Sequence, residues 1–147
     1  MKEATKKPLL PLKYFGLIAL ALVLNTQAWA DDLAAPTKIQ IEVTFGDKIT
    51  EFLISLGKND SFVSMSSNQG DSGEKVLEPA DAKFILEELR DIPPNDEATE
   101  QCWRERIVVT SPQLNGVENF KATTCLDAKT DWTQQLISLV NLLALVN

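Results

Sequence analysis

The chain has 147 residues, 21 acidic against 14 basic side chains, and a formal net charge of −7. Such a surface repels phosphate backbones and anionic membranes, which argues against nucleic acid as a partner. It has no histidine and two cysteines, which removes Ser-His-Asp and Cys-His nucleophilic systems and histidine-ligated zinc.

The first thirty residues read as an export signal. Lys2, Lys6, Lys7 and Lys13 form a positive leader opposed by Glu3 alone. An uncharged apolar run follows from Tyr14 to Leu24, and Ala28-Trp29-Ala30 is a small-x-small cleavage site ahead of Asp31 and Asp32. The run spans eleven residues, too short for the roughly 20 that cross a bilayer as a helix. Cleavage after Ala30 leaves residues 31–147 as one small exported domain, periplasmic or secreted, with no transmembrane segment. The leader holds four basic residues and one acidic, so the exported part keeps 10 basic and 20 acidic residues, a net charge of −10.

Within the domain, Lys38 to Phe45 alternates, with Ile39, Ile41, Val43 and Phe45 on one face. Thr50 to Leu56 does the same with Thr50, Phe52, Ile54 and Leu56. A two-residue turn at Gly46-Asp47 would pair 45 with 48, 41 with 52 and 39 with 54, so turn and pattern agree on one register. Gly57 to Asp60 is a turn, and Ser61 to Ser66 is a weaker third strand. Ser67 to Glu74 reads as a polar loop. Its Asn68, Asp71 and Glu74 are oxygen donors of the kind calcium accepts, but their spacing matches no calcium loop, and no metal or other cofactor is expected.

Pro79 suits the first position of a helix, and Ala82, Ile85, Leu86, Leu89 and Ile92 recur at helical spacing until Pro93-Pro94 stop it. Asn95 to Gln101 is an acidic linker. Cys102 then begins a strand-like run to Thr110, and Cys125 lies near the end of a second, from Val117 to Leu126. Two cysteines in an oxidising compartment predict a Cys102–Cys125 disulfide. Two registers compete for this hairpin. One places 110 opposite 117 and 102 opposite 125, with Trp103 and Ile107 facing the core. The other uses Asn115-Gly116 as a two-residue turn, but sets Cys102 opposite Lys129 and Pro112 inside a paired strand, where its missing N–H is costly. The first is preferred. In it Arg104 and Arg106 face away from Trp103 and Ile107, as candidate contacts for an anion or carboxylate on a partner.

The last element starts at Asp131, which with Gln134 resembles a capping box. Leu136, Leu139, Val140, Leu143 and Val146 form a stripe, and Ile137, Leu142, Ala144 and Leu145 widen it almost all round. Such a helix is buried or shared, which makes Leu142 and Leu145 the candidate partner interface, including a homodimer through this helix. The order β-β-β-α-β-β-α predicts an α+β domain, an antiparallel sheet of about five strands with both helices on one face.

For function, the expectation is a non-catalytic exported binding protein that recognises another envelope or extracellular protein, for instance as an inhibitor. The competing classes are a homo-oligomeric assembly protein of the envelope and a small hydrolase using paired carboxylates or a Ser–Lys pair.

Overall fold

Seven apolar side chains from the first three strands and thirteen from the other described residues close around one layer between a sheet and two helices. The computed structural model describes residues 36–95 and 102–146, which belong to one compact unit. The segment expected to be an export leader, with its expected cleavage residues Ala28, Ala30 and Asp31, and most of the expected acidic linker lie outside the described residues.

The strands are β1 (Thr37–Phe45), β2 (Lys48–Leu56), β3 (Ser61–Ser67), β4 (Ser72–Val76), β5 (Glu105–Leu114) and β6 (Val117–Cys125). The helices are α1 (Pro79–Leu89) and α2 (Asp131–Leu143), with a short 3-10 turn at Ala144–Val146. All neighbours are antiparallel, in the order β4-β3-β2-β1-β5-β6. The fold is therefore the expected α+β arrangement, with six strands rather than about five.

The β1–β2 hairpin has the predicted register, pairing Phe45 with Lys48, Ile41 with Phe52 and Ile39 with Ile54. Gly46 takes a positive φ of 62° at the turn, which glycine adopts without the Cβ penalty. Ile39, Ile41, Phe52, Ile54, Leu56, Val63, Met65, Ile107, Val109, Phe120 and Ala122 are all buried on the helix-covered face. Phe45, in phase with Ile39 and Ile41, lies at the strand end and is 65% exposed.

Three expectations are corrected. The segment read as a loop from Ser67 to Glu74 runs into β4, paired with β3 from Ser66–Ser72 to Phe62–Val76. This edge strand has no apolar alternation to reveal it; its backbone ladder holds it. The turn before it closes with Ser67 N–H donating to the Asp71 carbonyl at 2.8 Å and Gly70 N–H to the Ser67 carbonyl at 3.1 Å.

The second correction concerns the cysteine hairpin, which uses the other register. Leu114 pairs with Val117, Ile107 with Thr124 and Arg106 with Cys125, around Asn115 (φ 53°) and Gly116 (φ 75°). Two consecutive left-handed residues make the turn whose twist suits a hairpin. The Asn115 amide also donates to the Leu89 carbonyl at 2.8 Å, satisfying an acceptor at the end of α1. Pro112 is accommodated because β1 and β5 cease to pair beyond Gln40–Thr110. Beside it, the Ser111 hydroxyl donates to the Lys38 carbonyl at 2.6 Å and accepts from Gln113 N–H at 3.3 Å. Opposite Pro112, Asn119 has a φ of 52°, which breaks the regular ladder there. Cys102 lies in a turn ahead of β5, and this turn brings its Cα to 5.6 Å from that of Cys125. The disulfide thus forms without the two residues facing one another in the ladder. It fits an oxidising, exported location.

Third, α2 is capped one residue earlier than expected. The Thr130 hydroxyl accepts from Thr133 N–H at 3.3 Å. The fully buried Thr133 hydroxyl in turn lies 2.5 Å from that of Thr130 and 2.7 Å from that of Thr124 on β6. A relay of three hydroxyls therefore fixes the start of α2 to the sheet. At α1, Pro79 occupies the first turn and the Asp81 carboxylate accepts from Glu78 N–H at 3.3 Å.

The far edge of the sheet is closed by the chain leaving α1. Asn95 N–H donates to the Lys121 carbonyl at 2.8 Å, and its side chain exchanges two hydrogen bonds with the Thr123 backbone, at 2.8 and 3.1 Å. This satisfies part of the exposed edge of β6, which would otherwise invite pairing with another chain.

Candidate functional site

Two surfaces stand out, one on each side of the sheet. On the helix side, α2 buries Thr133, Leu136, Leu139 and Leu143. Its flanks Trp132, Ile137 and Val140 are half-buried, so the apolar girdle foreseen from sequence is only partly covered. Leu142 is 50% and Leu145 77% exposed, and Phe84 of α1 joins them at 43%. All three line a depression of about 140 Å³ whose floor includes Val63, Leu77 and Leu143, with Lys75 and Asp81 beside it. The sequence pointed to Leu142 and Leu145. It missed Phe84, whose phase on α1, one residue ahead of the buried Ile85, was the available signal.

On the opposite side, which no described helix covers (hence the helix-free face), strand alternation brings a second set of side chains together. Gln40 of β1 lies between Leu53 of β2 and Thr110 of β5; Thr110 pairs with Lys121 of β6, and Leu53 with Ser64 of β3. The next row sets Lys38 beside Ser55, and Ser55 beside Phe62. Together with Pro112 and Asn119 they line a groove of about 710 Å³. Leu53 and Phe62 are 46% and 39% exposed in it. Sequence pattern does not reveal this face, because Leu53 and Phe62 occupy the phase expected to be polar. The predicted register of β1 and β2 already placed Leu53 beside Gln40.

The two arginines do not form a shared grip. Arg104 is in the turn before β5 rather than on the strand, its guanidinium stacked 4.5 Å from the centre of the Trp103 ring. Trp103, expected to face the core, is 57% exposed. Arg106 is on β5, with Nη2 3.9 Å from Glu42 Oε1, a half-exposed pair. Its buried Nε has no hydrogen-bond partner among the described residues.

Of the oxygen donors noted from sequence, Asn68 and Asp71 are engaged in fastening a corner of the sheet. The Asn68 side chain accepts from Ile49 N–H at 2.9 Å and donates to the Asp47 carbonyl at 2.8 Å. Asp71 receives the Lys48 ammonium at 2.8 Å. That hydrogen bond and its charge, with a further hydrogen bond from Ser67, hold the Asp71 carboxyl below the ordinary carboxylate range. Among the described residues no three acidic or cysteine side chains converge as metal ligands. None of the described helices is long and apolar enough to cross a membrane.

Compared with known protein families, curated proteins and solved structures, the chain matches none.

Proposed function

We propose that the chain is an exported, non-catalytic binding protein that recognises another envelope or extracellular protein through the rim formed by Phe84, Leu142 and Leu145. An inhibitor of a secreted hydrolase belongs to this class. The observation that carries the reading is this trio of large apolar side chains, exposed around one depression although the core beneath them closes on Ile85, Leu139 and Leu143. Exposed apolar anchors grouped over a depression are what protein interfaces bury at their centre. The exported part's net charge of −10 keeps the surface around the rim soluble.

The test is cross-linking and capture from an envelope extract, with wild type beside a Leu142→Glu/Leu145→Glu variant. A defined protein captured by wild type and lost from the variant, with the variant's circular dichroism unchanged, supports the reading. Equal capture by both, or no capture by either, overturns it. Light scattering on the purified protein separates a foreign partner from a second copy: a concentration-dependent dimer abolished by the same two substitutions assigns the rim to self-association.

A further inference from the structure

The groove on the helix-free face plays no part in the reading above, and we propose that it binds a single long-chain carboxylate, such as a free fatty acid. The carboxylate sits at Lys38 and Lys121, and the tail lies over Leu53 and Phe62. At about 710 Å³ the groove falls within the roughly 300–1,000 Å³ of small-molecule sites.

Its charge selects the ligand. The charged side chains among its described lining are Lys38 and Lys121, with no carboxylate, in an exported part with twice as many acids as bases. The acids on this face lie outside the groove. Glu42 pairs with Arg106, Glu51 stands opposite Glu42 one row away, and Glu74 is on the edge strand opposite Ser64. The lysines thus lie at the groove on β1 and β6, while the acids lie in the row beyond Gln40 and Leu53 and on β4. Hydroxyls of Ser55 and Thr110 lie in the rows of the two lysines and add donors for a carboxylate.

The apolar part sets the tail. Leu53 pairs with Ser64 and Phe62 with Ser55, so Leu53 and Phe62 are diagonal neighbours on one face, within reach of a common ligand. The tail therefore runs from the lysines across β2 and β3, away from the cationic end.

Two other occupants fit less well. A peptide laid on this floor would bury its own N–H and C=O groups against a sheet whose backbone is already paired in its ladders, leaving them without partners. An acyl chain has no such groups. An anionic bilayer is repelled by the net charge of −10, whereas one amphiphile brings a single negative charge to two lysines.

The test is calorimetric titration of the exported protein with hexadecanoate below its micellar concentration, beside hexadecanol and hexadecyltrimethylammonium. Saturable binding of one equivalent is expected, weaker by about tenfold or more for the alcohol and the cation and for a Lys38→Glu/Lys121→Glu variant. Both lysines are exposed, and circular dichroism checks that the variant stays folded. A Phe62→Ser variant is a second readout, expected to weaken hexadecanoate and leave the preference over hexadecanol intact. Absence of binding overturns the proposal, as does equal affinity for all three amphiphiles or an unchanged affinity in the charge-reversed variant. An acidic peptide that displaces hexadecanoate at equal concentration also overturns it. Capture of a protein through the Leu142 rim is unaffected by any of these outcomes, so the two readings fail separately.

Discussion

The two faces of this sheet are built from the same strands and put to different uses. The helix-covered face presents Ile39, Ile41, Phe52, Ile54, Ile107 and Val109, each at most 2% exposed. The opposite face intersperses Leu53 and Phe62 with lysines, hydroxyls and an arginine–glutamate pair. One face removes apolar surface from water and so supplies stability; the other leaves large apolar groups such as Leu53 and Phe62 wet and gains nothing from them in the unbound protein. Substitutions should therefore divide sharply by face.

The largest effect belongs to the core. Leu136→Ala, at a side chain 1% exposed, should cost about 2–5 kcal/mol by urea unfolding, from lost transfer energy and the cavity left behind. The same truncation at Leu53 should cost less than about 1 kcal/mol. Equal losses would erase the distinction between the faces.

Next is the disulfide. Cys102→Ala/Cys125→Ala removes a closure over a sequence separation of 23, and the unfolded chain regains entropy worth about 3 kcal/mol. Reductant on wild type should reproduce that loss, and should leave the double variant's unfolding midpoint where it was.

A smaller loss is expected at the hydroxyl relay. Thr133→Val keeps the shape and the backbone cap bond to Thr130, but removes the two hydroxyl contacts of Thr133 and leaves the buried Thr124 hydroxyl only the Cys125 carbonyl at 3.3 Å, for about 1–3 kcal/mol. Hydrogen exchange should show the first turn of α2 opening more readily while β2 and β3 stay protected.

The smallest effect is electrostatic and lies at the surface. The Asp71 carboxyl is held below its ordinary range by Lys48. Its stabilising contribution is present above the unfolded carboxylate value and is lost as pH falls through the lowered folded value. Asp71→Asn should remove that acid-side dependence, visible as a flatter profile of unfolding midpoint against pH at low salt. Because both partners are exposed, added salt should remove it too.

Much of the helix-covered face could be read from the residues. The first hairpin combines a glycine turn with apolar partners in the same register, so two independent constraints agree. The second hairpin offered constraints that conflicted. Pro112 spoke against the Asn115-Gly116 turn, and what outweighs it is tertiary: the Asn115 bond to Leu89, the Ser111 bond to Lys38, and the end of pairing with β1. None of these can be seen before the elements are docked. The disulfide was correctly paired although its local geometry was not, since two cysteines admit only one pairing. β4 escaped because an edge strand exposed on both faces carries no periodicity. The groove escaped for a related reason: strand alternation assigns one phase to the core and reads the other as solvent, so Leu53 and Phe62 passed as exceptions rather than as a second surface.

The division between the faces is tested most directly by urea unfolding of wild type and a Leu53→Ser/Phe62→Ser variant, each with and without hexadecanoate. Without ligand the two midpoints should nearly coincide. With hexadecanoate at about 100 times its Kd, wild type should gain about 2.7 kcal/mol and the variant far less. A variant destabilised as severely as Leu136→Ala, or stabilised by the ligand as much as wild type, would contradict it.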